Sequence, residues 1–201
     1  MQGIRRRIYL VRHGAARGAD GRAVGHLDLP LSAAGAASIR TLQATWNGSP
    51  PARLFTSDLM RARDSAAILE DAWGVSARVD PRLREVDFGD WDGALWSELH
   101  ELPGFDRWLA RWWQLPPPGG EPFTAVGKRA RAWLEEVLAG DADPVVAVAH
   151  GGSIRALLCH VLAMPVEKAF HLHLDHGRVS ALGETFRGLE VLLLNSERFS
   201  S

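Results

Sequence analysis

An α/β fold, with a mostly parallel sheet covered by helices on both faces, is what the order of apolar patterns in this chain predicts. Three observations carry that expectation. Short, nearly continuous apolar runs read as strands buried on both faces, stretches with helical spacing stand between them, and Gly- and Pro-rich breaks separate the two kinds. Strands alternating with helices imply right-handed crossovers, so the strands lie parallel and the helices cover the sheet.

The first strand is Arg7 to Val11, ended by Gly14. Leu31-Ser32 then supplies a staple residue and an N-cap, and Ile39, Leu42 and Trp46 recur at helical spacing up to Asn47-Gly48-Ser49-Pro50-Pro51. A helix of about four turns is expected there. Leu54-Phe55-Thr56 is a second strand, after which Ser57 caps a helix with Ala62, Ala66 and Leu69 on one face, and Val75 to Val79 is a third strand. Thr124 is expected to cap a helix carrying Val126, Ala130, Trp133 and Val137. Val145 to Ala149 is again a strand, and Gly151-Gly152 opens a helix with Ile154, Leu157, Leu158 and Val161 inward. Arg178 to Thr185 and Leu189 to Asn195 flank Phe186-Arg187-Gly188 and read as a hairpin at a sheet edge. Pro81 to Gly120 breaks the alternation and is rich in Trp, Gly and Pro. The expectation is one domain over residues 1–201, with an insertion at about 81–120 over the active edge and no internal repeat.

Composition sets the class. With 46% hydrophobic and 23% charged residues, the chain is globular and not disordered, collagen-like or coiled-coil. Its 23 Lys and Arg against 24 Asp and Glu leave a net charge of -1, so neither nucleic acid nor an anionic membrane is expected as the main partner. Any anion site must be local. Cys159 is the single cysteine and lies in the apolar stretch Ala156 to Cys159, so it reads as a buried thiol. The basic start, Met1 to Arg7, precedes an apolar run too short for a signal peptide, and no run approaches membrane-spanning length. The expected location is a reducing cytoplasm, with homo-oligomer assembly left open.

Ligands of open α/β sheets bind beyond the carboxyl ends of the strands. Arg12 and His13 follow the first strand directly, Ser57 and Arg61 follow the second, and His150 follows Ala149 at a helix N-terminus, where free amides attract anions. Each has a bland reading: a solvated loop Arg, an exposed helix charge, a capping His. Convergence of three strands on one edge outweighs them. Two guanidinium forks suit a phosphoryl group, one imidazole can attack phosphorus, a second can bond the phosphoryl oxygens, and a carboxylic acid must protonate the leaving alkoxide. Leu83 to Gly93 offers Glu85, Asp87, Asp90 and Asp92, and spacing alone does not choose among them.

These residues lie in segments that resemble, in order, the motifs of the histidine phosphatase superfamily, which includes the cofactor-dependent phosphoglycerate mutases. The segments are Leu10-Val11-Arg12-His13-Gly14, Asp28-Leu29-Pro30-Leu31-Ser32 with Gly35, Ser57 to Ala62, Glu85 to Gly93, and Ala149-His150-Gly151-Gly152. The resemblance implies a three-layer α/β/α sandwich and chemistry without a metal or other cofactor. It also implies that His13 is the phosphorylated nucleophile, that Arg12, Arg61 and His150 hold the phosphoryl group, and that Glu85 is the proton donor. Phe88 to Gly93, followed by Pro116-Pro117-Pro118-Gly119-Gly120-Glu121-Pro122-Phe123, looks most like the α-ribazole phosphatases of cobalamin biosynthesis, which remove the 5′-phosphate of α-ribazole phosphate. Many members of the superfamily follow the first motif with Glu-Thr and a later Asn, where this chain has Ala15, Ala16 and Ala19. Arg17 is the candidate replacement, and Arg17, Trp112 and Glu121 are the candidate substrate-binding residues.

Five of the eight Trp lie between Trp91 and Trp113, and Phe105, Trp108, Leu109 and Trp112 are expected on one helical face. Such a stripe usually packs into the core; the sharper reading is an aromatic wall for a flat leaving group such as a benzimidazole. His171, His173 and His176 with Asp175 alternate as on a strand, but lack a zinc spacing and read as the polar end of a strand near the active edge. The functional expectation is a metal-independent phosphomonoesterase working through phosphohistidine on a small phosphomonoester, with α-ribazole 5′-phosphate first. A broad-specificity phosphatase or a phosphoglycerate or sugar-phosphate mutase is the enzyme rival. A noncatalytic phospho-ligand module is the rival of another class, and intact His13, Glu85 and His150 argue against it.

Overall fold

The computed structural model describes residues 3–199. Six strands, β1 (Arg6–Arg12), β2 (Arg53–Thr56), β3 (Ala77–Val79), β4 (Val145–Ala149), β5 (Val179–Thr185) and β6 (Gly188–Ser196), form one sheet in the order β3-β2-β4-β1-β5-β6. The first four in that order are parallel, β5 is antiparallel to β1, and β6 closes the edge as a hairpin with β5. The helices are α1 (Ala33–Gln43), α2 (Met60–Trp73), α3 (Trp96–Leu99), α4 (Phe105–Leu109), α5 (Phe123–Ala139) and α6 (Gly151–Val161).

Successive strand residues point to opposite faces, and the apolar runs supply both. Ile8, Leu10, Val145 and Ala147 meet Trp133 and Leu134 of α5 and Ile154, Leu157 and Leu158 of α6. Tyr9, Val11, Val146 and Val148 meet Ile39 and Leu42 of α1 and Ala62, Ala66 and Leu69 of α2. Each fully buried side chain of this kind contributes about 1.5–3 kcal/mol of transfer free energy. The result is the expected α/β/α sandwich, and the carboxyl ends of β1, β2 and β4 lie side by side at one edge.

Several local expectations are corrected. α1 has 11 residues, three turns instead of four; Trp46 lies beyond it, its indole N–H within 3.1 Å of the Gly48 carbonyl and its ring against Tyr9 and Trp73. Ser57 does not cap α2: the Met60 N–H goes instead to Asp28 Oδ1 at 2.5 Å, a carboxylate arriving from a remote loop. Thr124 does not cap α5 but lies inside it, one residue after Phe123, and its own first-turn N–H donates to Trp113 O at 3.1 Å. The aromatic stripe is divided, since α4 ends before Trp112; Phe105 is 1% exposed whereas Leu109 is 47% exposed. No strand carries His171 to His176. Val166–His171 is a 3-10 turn and a loop follows, closed by Gly177, whose φ of 69° suits glycine and whose N–H reaches the carbonyls of Arg12 and His13. Among the described residues no three His, Cys, Asp or Glu side chains converge as a metal site requires. No helix among the described residues is long and apolar enough to cross a membrane.

Candidate active site

Extension of β1 past its last residue delivers His13, whose N–H donates to Ala149 O at 3.0 Å, so the histidine stays in register with the end of β4. His13 is 4% exposed. Nδ1 lies 2.6 Å from Gly14 O. A carbonyl only accepts, so Nδ1 carries the proton and Nε2 presents its lone pair. Arg61 Nε donates to that Nε2 at 3.2 Å. Arg61 is itself buried at 1% exposure and is anchored by Nη1 on Leu27 O and Nη2 on Gly25 O.

Arg12 reaches the same space from β1, with Nη1 on Leu174 O at 2.6 Å and Nη2 on His176 Nε2 at 2.9 Å. His150, at the start of α6, is fully buried with its ring centroid 4.8 Å from that of His13. Arg12 Nε and both ring nitrogens of His150 are buried and have no hydrogen-bond partner among the described residues. Leaving such groups unpaired costs about 1–3 kcal/mol each. Arg12 Nε–H and the one ring nitrogen of neutral His150 that carries a proton, beside the unprotonated His13 imidazole, are donors complementary to an anion with several acceptor oxygens. Burial first, then the Arg61 guanidinium, holds His13 well below 6.5; burial and His13 do the same for His150. Burial also pushes the Arg12, Arg61 and Arg155 guanidinium groups down, and Glu85 is the first charge opposing it in each.

The structure separates the four carboxylates that spacing left equivalent. Asp92 accepts from the amides of Gly25, His26 and Leu27 and braces that loop. Asp87 accepts from Gly89 N, and Asp90 is exposed. Glu85 alone of the four lines the cavity with Arg12, His13 and Arg61. Its carboxylate accepts from Gly152 N at 2.9 Å, in the first turn of α6. Its backbone is clamped from α5: Arg129 donates to the carbonyls of Arg82, Arg84 and Glu85. An Arg84–Asp58 ion pair ties this segment to the end of β2. A Cβ on Gly152 would overlap Glu85 Oε1. Gly152→Ala is therefore expected to displace the carboxylate and lower kcat for alkyl phosphates by about 100-fold, with little change in inorganic phosphate affinity. Steady-state kinetics with product inhibition measure both.

Above this floor stands a cavity of about 260 Å³. Phe88, Trp96, Trp108, Trp112, Phe123 and Phe170 form much of its wall, with Ala16 and Ala19 at the positions where polar residues were missed. Trp112 is half-buried and touches Phe123 and Phe170 at centroid distances of 4.9 and 4.6 Å, so it packs and lines at once. Glu121 lines the cavity too, yet its carboxylate is engaged by Arg129 at 2.7 Å and by the amide of Asp87. Arg17 is exposed and is not on the cavity wall; its backbone pairs with Pro30 O, and Arg22 lines the wall in its place. Sequence reasoning missed Arg155, Phe170 and Arg129. Arg155 lines the cavity, with its guanidinium 5.1 Å over the Phe170 ring and Nε on Leu172 O at 3.0 Å. It stands four residues after Gly151, one turn along the same face, and that spacing was the available signal.

Known proteins resemble this chain over most of its length. The adenosylcobalamin/α-ribazole phosphatase of Salmonella typhimurium is 31% identical over 192 residues, 92% of this chain and 95% of that one. The glucosyl-3-phosphoglycerate phosphatase of Mycobacterium tuberculosis is 37% identical over 175 residues, 80% of this chain and 77% of that one. The crystal structure of the α-ribazole phosphatase from Shigella flexneri superposes with a TM-score of 0.89 at 25% identity, covering 97% of this chain and 98% of that one. Residues 8–197 match the histidine phosphatase superfamily (branch 1), and with that match the histidine, arginine and carboxylate cluster at the sheet edge has its family: the chain belongs to the histidine phosphatase superfamily.

Proposed function

We propose that this phosphatase cleaves phosphomonoesters through a phosphohistidine on His13, with α-ribazole 5′-phosphate as its substrate. The observation that carries the mechanism is the fixed tautomer of His13: Nδ1–H is bound to Gly14 O, and Nε2 is unprotonated beside Arg61. In the first step Nε2 attacks phosphorus and the P–O ester bond breaks. The Glu85 carboxyl gives its proton to the departing alkoxide. In the second step water attacks the phosphohistidine, Glu85 takes a proton from it, the P–N bond breaks, and inorganic phosphate leaves. Arg12, Arg61 and His150 bind the phosphoryl oxygens throughout, where preorganised donors act on the charge of the transition state. No step calls on a metal. We take residues 1–201 as one domain, with the segment at about 81–120 as the cap that recognises the leaving group.

The aromatic wall supports a flat, apolar leaving group, since stacking and burial remote from phosphorus supply energy that positions the ester. Arg22 and Arg155 on the same wall favour a second reading, a phosphomonoester with another anionic group. The expected result is a kcat/KM for α-ribazole 5′-phosphate at least about 100-fold above those for 3-phosphoglycerate and simple sugar phosphates. Trp112→Ala is expected to erase that preference and to spare a small aryl phosphate. A flat profile rejects the α-ribazole assignment, a preference for phosphoglycerate supports the second reading, and phosphate binding without turnover of any ester makes the chain a binding module. Loss of every activity together with thermal stability makes Trp112 a core residue only.

A further inference from the structure

We propose that His176 is a positioning residue for Arg12, its imidazole serving as the hydrogen-bond acceptor that fixes the guanidinium against the phosphoryl group. The inference rests on the phosphatase reading of the same site. Arg12 donates through Nη1 to Leu174 O at 2.6 Å and through Nη2 to His176 Nε2 at 2.9 Å. Both acceptors come from the loop after the 3-10 turn, and that loop is fastened at both ends of its span. Gly177 N–H lies 3.0 Å from Arg12 O and 3.1 Å from His13 O. Asp175 and Asn195 bond reciprocally, Asp175 N to Asn195 Oδ1 at 2.7 Å and Asn195 Nδ2 to Asp175 Oδ2 at 2.9 Å, so β6 holds the loop from outside.

A guanidinium has no acceptor, so the 2.9 Å contact requires His176 to accept at Nε2 and to be neutral. Its surroundings keep it so. Burial, followed by Arg12 and Arg61, pushes it down to about 4, against a smaller opposing effect of Asp175, and its ring centroid lies 5.2 Å from that of His13. With both terminal nitrogens held, the guanidinium cannot rotate about its Cδ–Nε bond without breaking a charge-assisted bond, and Nε–H remains the buried donor without a partner. The loop thereby presets the fork in the orientation that an incoming phosphoryl group meets, so no ordering has to accompany binding.

The test measures orthovanadate affinity, and kcat and KM on a small aryl phosphate, for the wild type, His176→Leu, His176→Met and His176→Gln, each with Arg12 and with Arg12→Ala. Leu and Met fill the space but accept poorly. Each is expected to weaken orthovanadate binding and kcat/KM by about 10- to 100-fold, while Gln, which offers a carbonyl oxygen, stays within about threefold of wild type. In the Arg12→Ala background the same changes are expected to cost less than about twofold, because the group they position is gone. Equal losses for Leu, Met and Gln, wild-type behaviour of the Leu and Met variants, or an undiminished loss in the Arg12→Ala background would overturn the proposal. A wild type that binds orthovanadate and turns over, beside an unaffected Leu variant, overturns only the role of His176. A wild type that does neither overturns the phosphatase reading and this role with it.

Discussion

His13→Ala is expected to remove turnover of every phosphomonoester, a fall in kcat of about 10,000-fold or more, while the fold is retained. The magnitude follows from losing a covalent route: without the nucleophile, only binding and electrostatic stabilisation of direct attack by water remain, and residual rates in such variants are small. Retention of the fold follows from what holds the site, since Arg61 keeps its bonds to Leu27 O and Gly25 O and Arg12 keeps those to Leu174 and His176 when the ring is removed. Acid-quench trapping is the wrong method here, because a phosphoramidate is labile in acid; labelled substrate quenched in alkali is expected to mark His13. Label on Ser57 or Ser153, or turnover surviving in His13→Ala, would sink the mechanism. The same argument fixes a pH dependence. Because burial and Arg61 hold His13 well below 6.5, the imidazole does not take up a proton at its ordinary value, and its nucleophilic form persists as pH falls through 6.5. The acid limb that His13 contributes to kcat/KM in the free enzyme therefore lies below pH 6.5, and an acid limb assigned to His13 above that value would contradict the burial argument.

Arg12, His13, Arg61 and His150 were legible in the sequence because each is tied to a regular element. Continuous apolar runs mark strands of a parallel sheet, such strands end at one edge, and the residue after the run is at that edge by construction. The sandwich was legible for the same reason: Val145 to Ala149 is buried throughout, as a strand covered on both faces must be. Spacing alone did not separate Glu85 from Asp87, Asp90 and Asp92, and only the family resemblance singled it out, because the bonds that set it apart, Gly152 N to its carboxylate and Arg129 to its backbone, are tertiary and no local spacing encodes them. His176 was read as the polar end of a strand that does not form. The Gly177 amide bonds to Arg12 and His13, and those contacts turn the loop into the site. Arg17 shows the limit of proximity in sequence: a charge four residues after His13 was given a role, whereas the backbone bond from its amide to Pro30 O accompanies an exposed side chain off the cavity wall, and Arg22 and Arg155 join Arg12 and Arg61 on that wall. The Trp-rich segment has no period to read, since its helices, α3 and α4, are four and five residues long.

Glu85→Gln is expected to lower kcat for alkyl phosphates by about 100- to 10,000-fold while an activated aryl phosphate loses far less in its first step. The substitution preserves shape: the amide oxygen can still accept from Gly152 N, which lies 2.9 Å and 3.1 Å from the two carboxylate oxygens. What it removes is the proton that an alkoxide needs and a nitrophenolate does not. It also removes the charge that first opposes the burial of Arg12, Arg61 and Arg155, so the variant is expected to bind inorganic phosphate at least as well as wild type. Tighter phosphate beside a selective loss on poor leaving groups separates the acid from a structural strut, because a displaced strut would weaken anion binding and slow both substrates alike. The second step supplies an independent reading. Glu85 must also accept the proton of the attacking water, so in the variant an aryl phosphate is expected to give a burst of phenolate followed by slow hydrolysis of the phosphohistidine, visible by rapid-mixing absorbance. A burst equal to the enzyme concentration with a slowed steady state supports Glu85 in both roles. Equal losses on alkyl and aryl substrates with no burst would assign Glu85 to structure, and unchanged rates would shift the acid role to another carboxylate, either Asp87, which stands beside His26 at 3.4 Å, or Glu121 on the cavity wall.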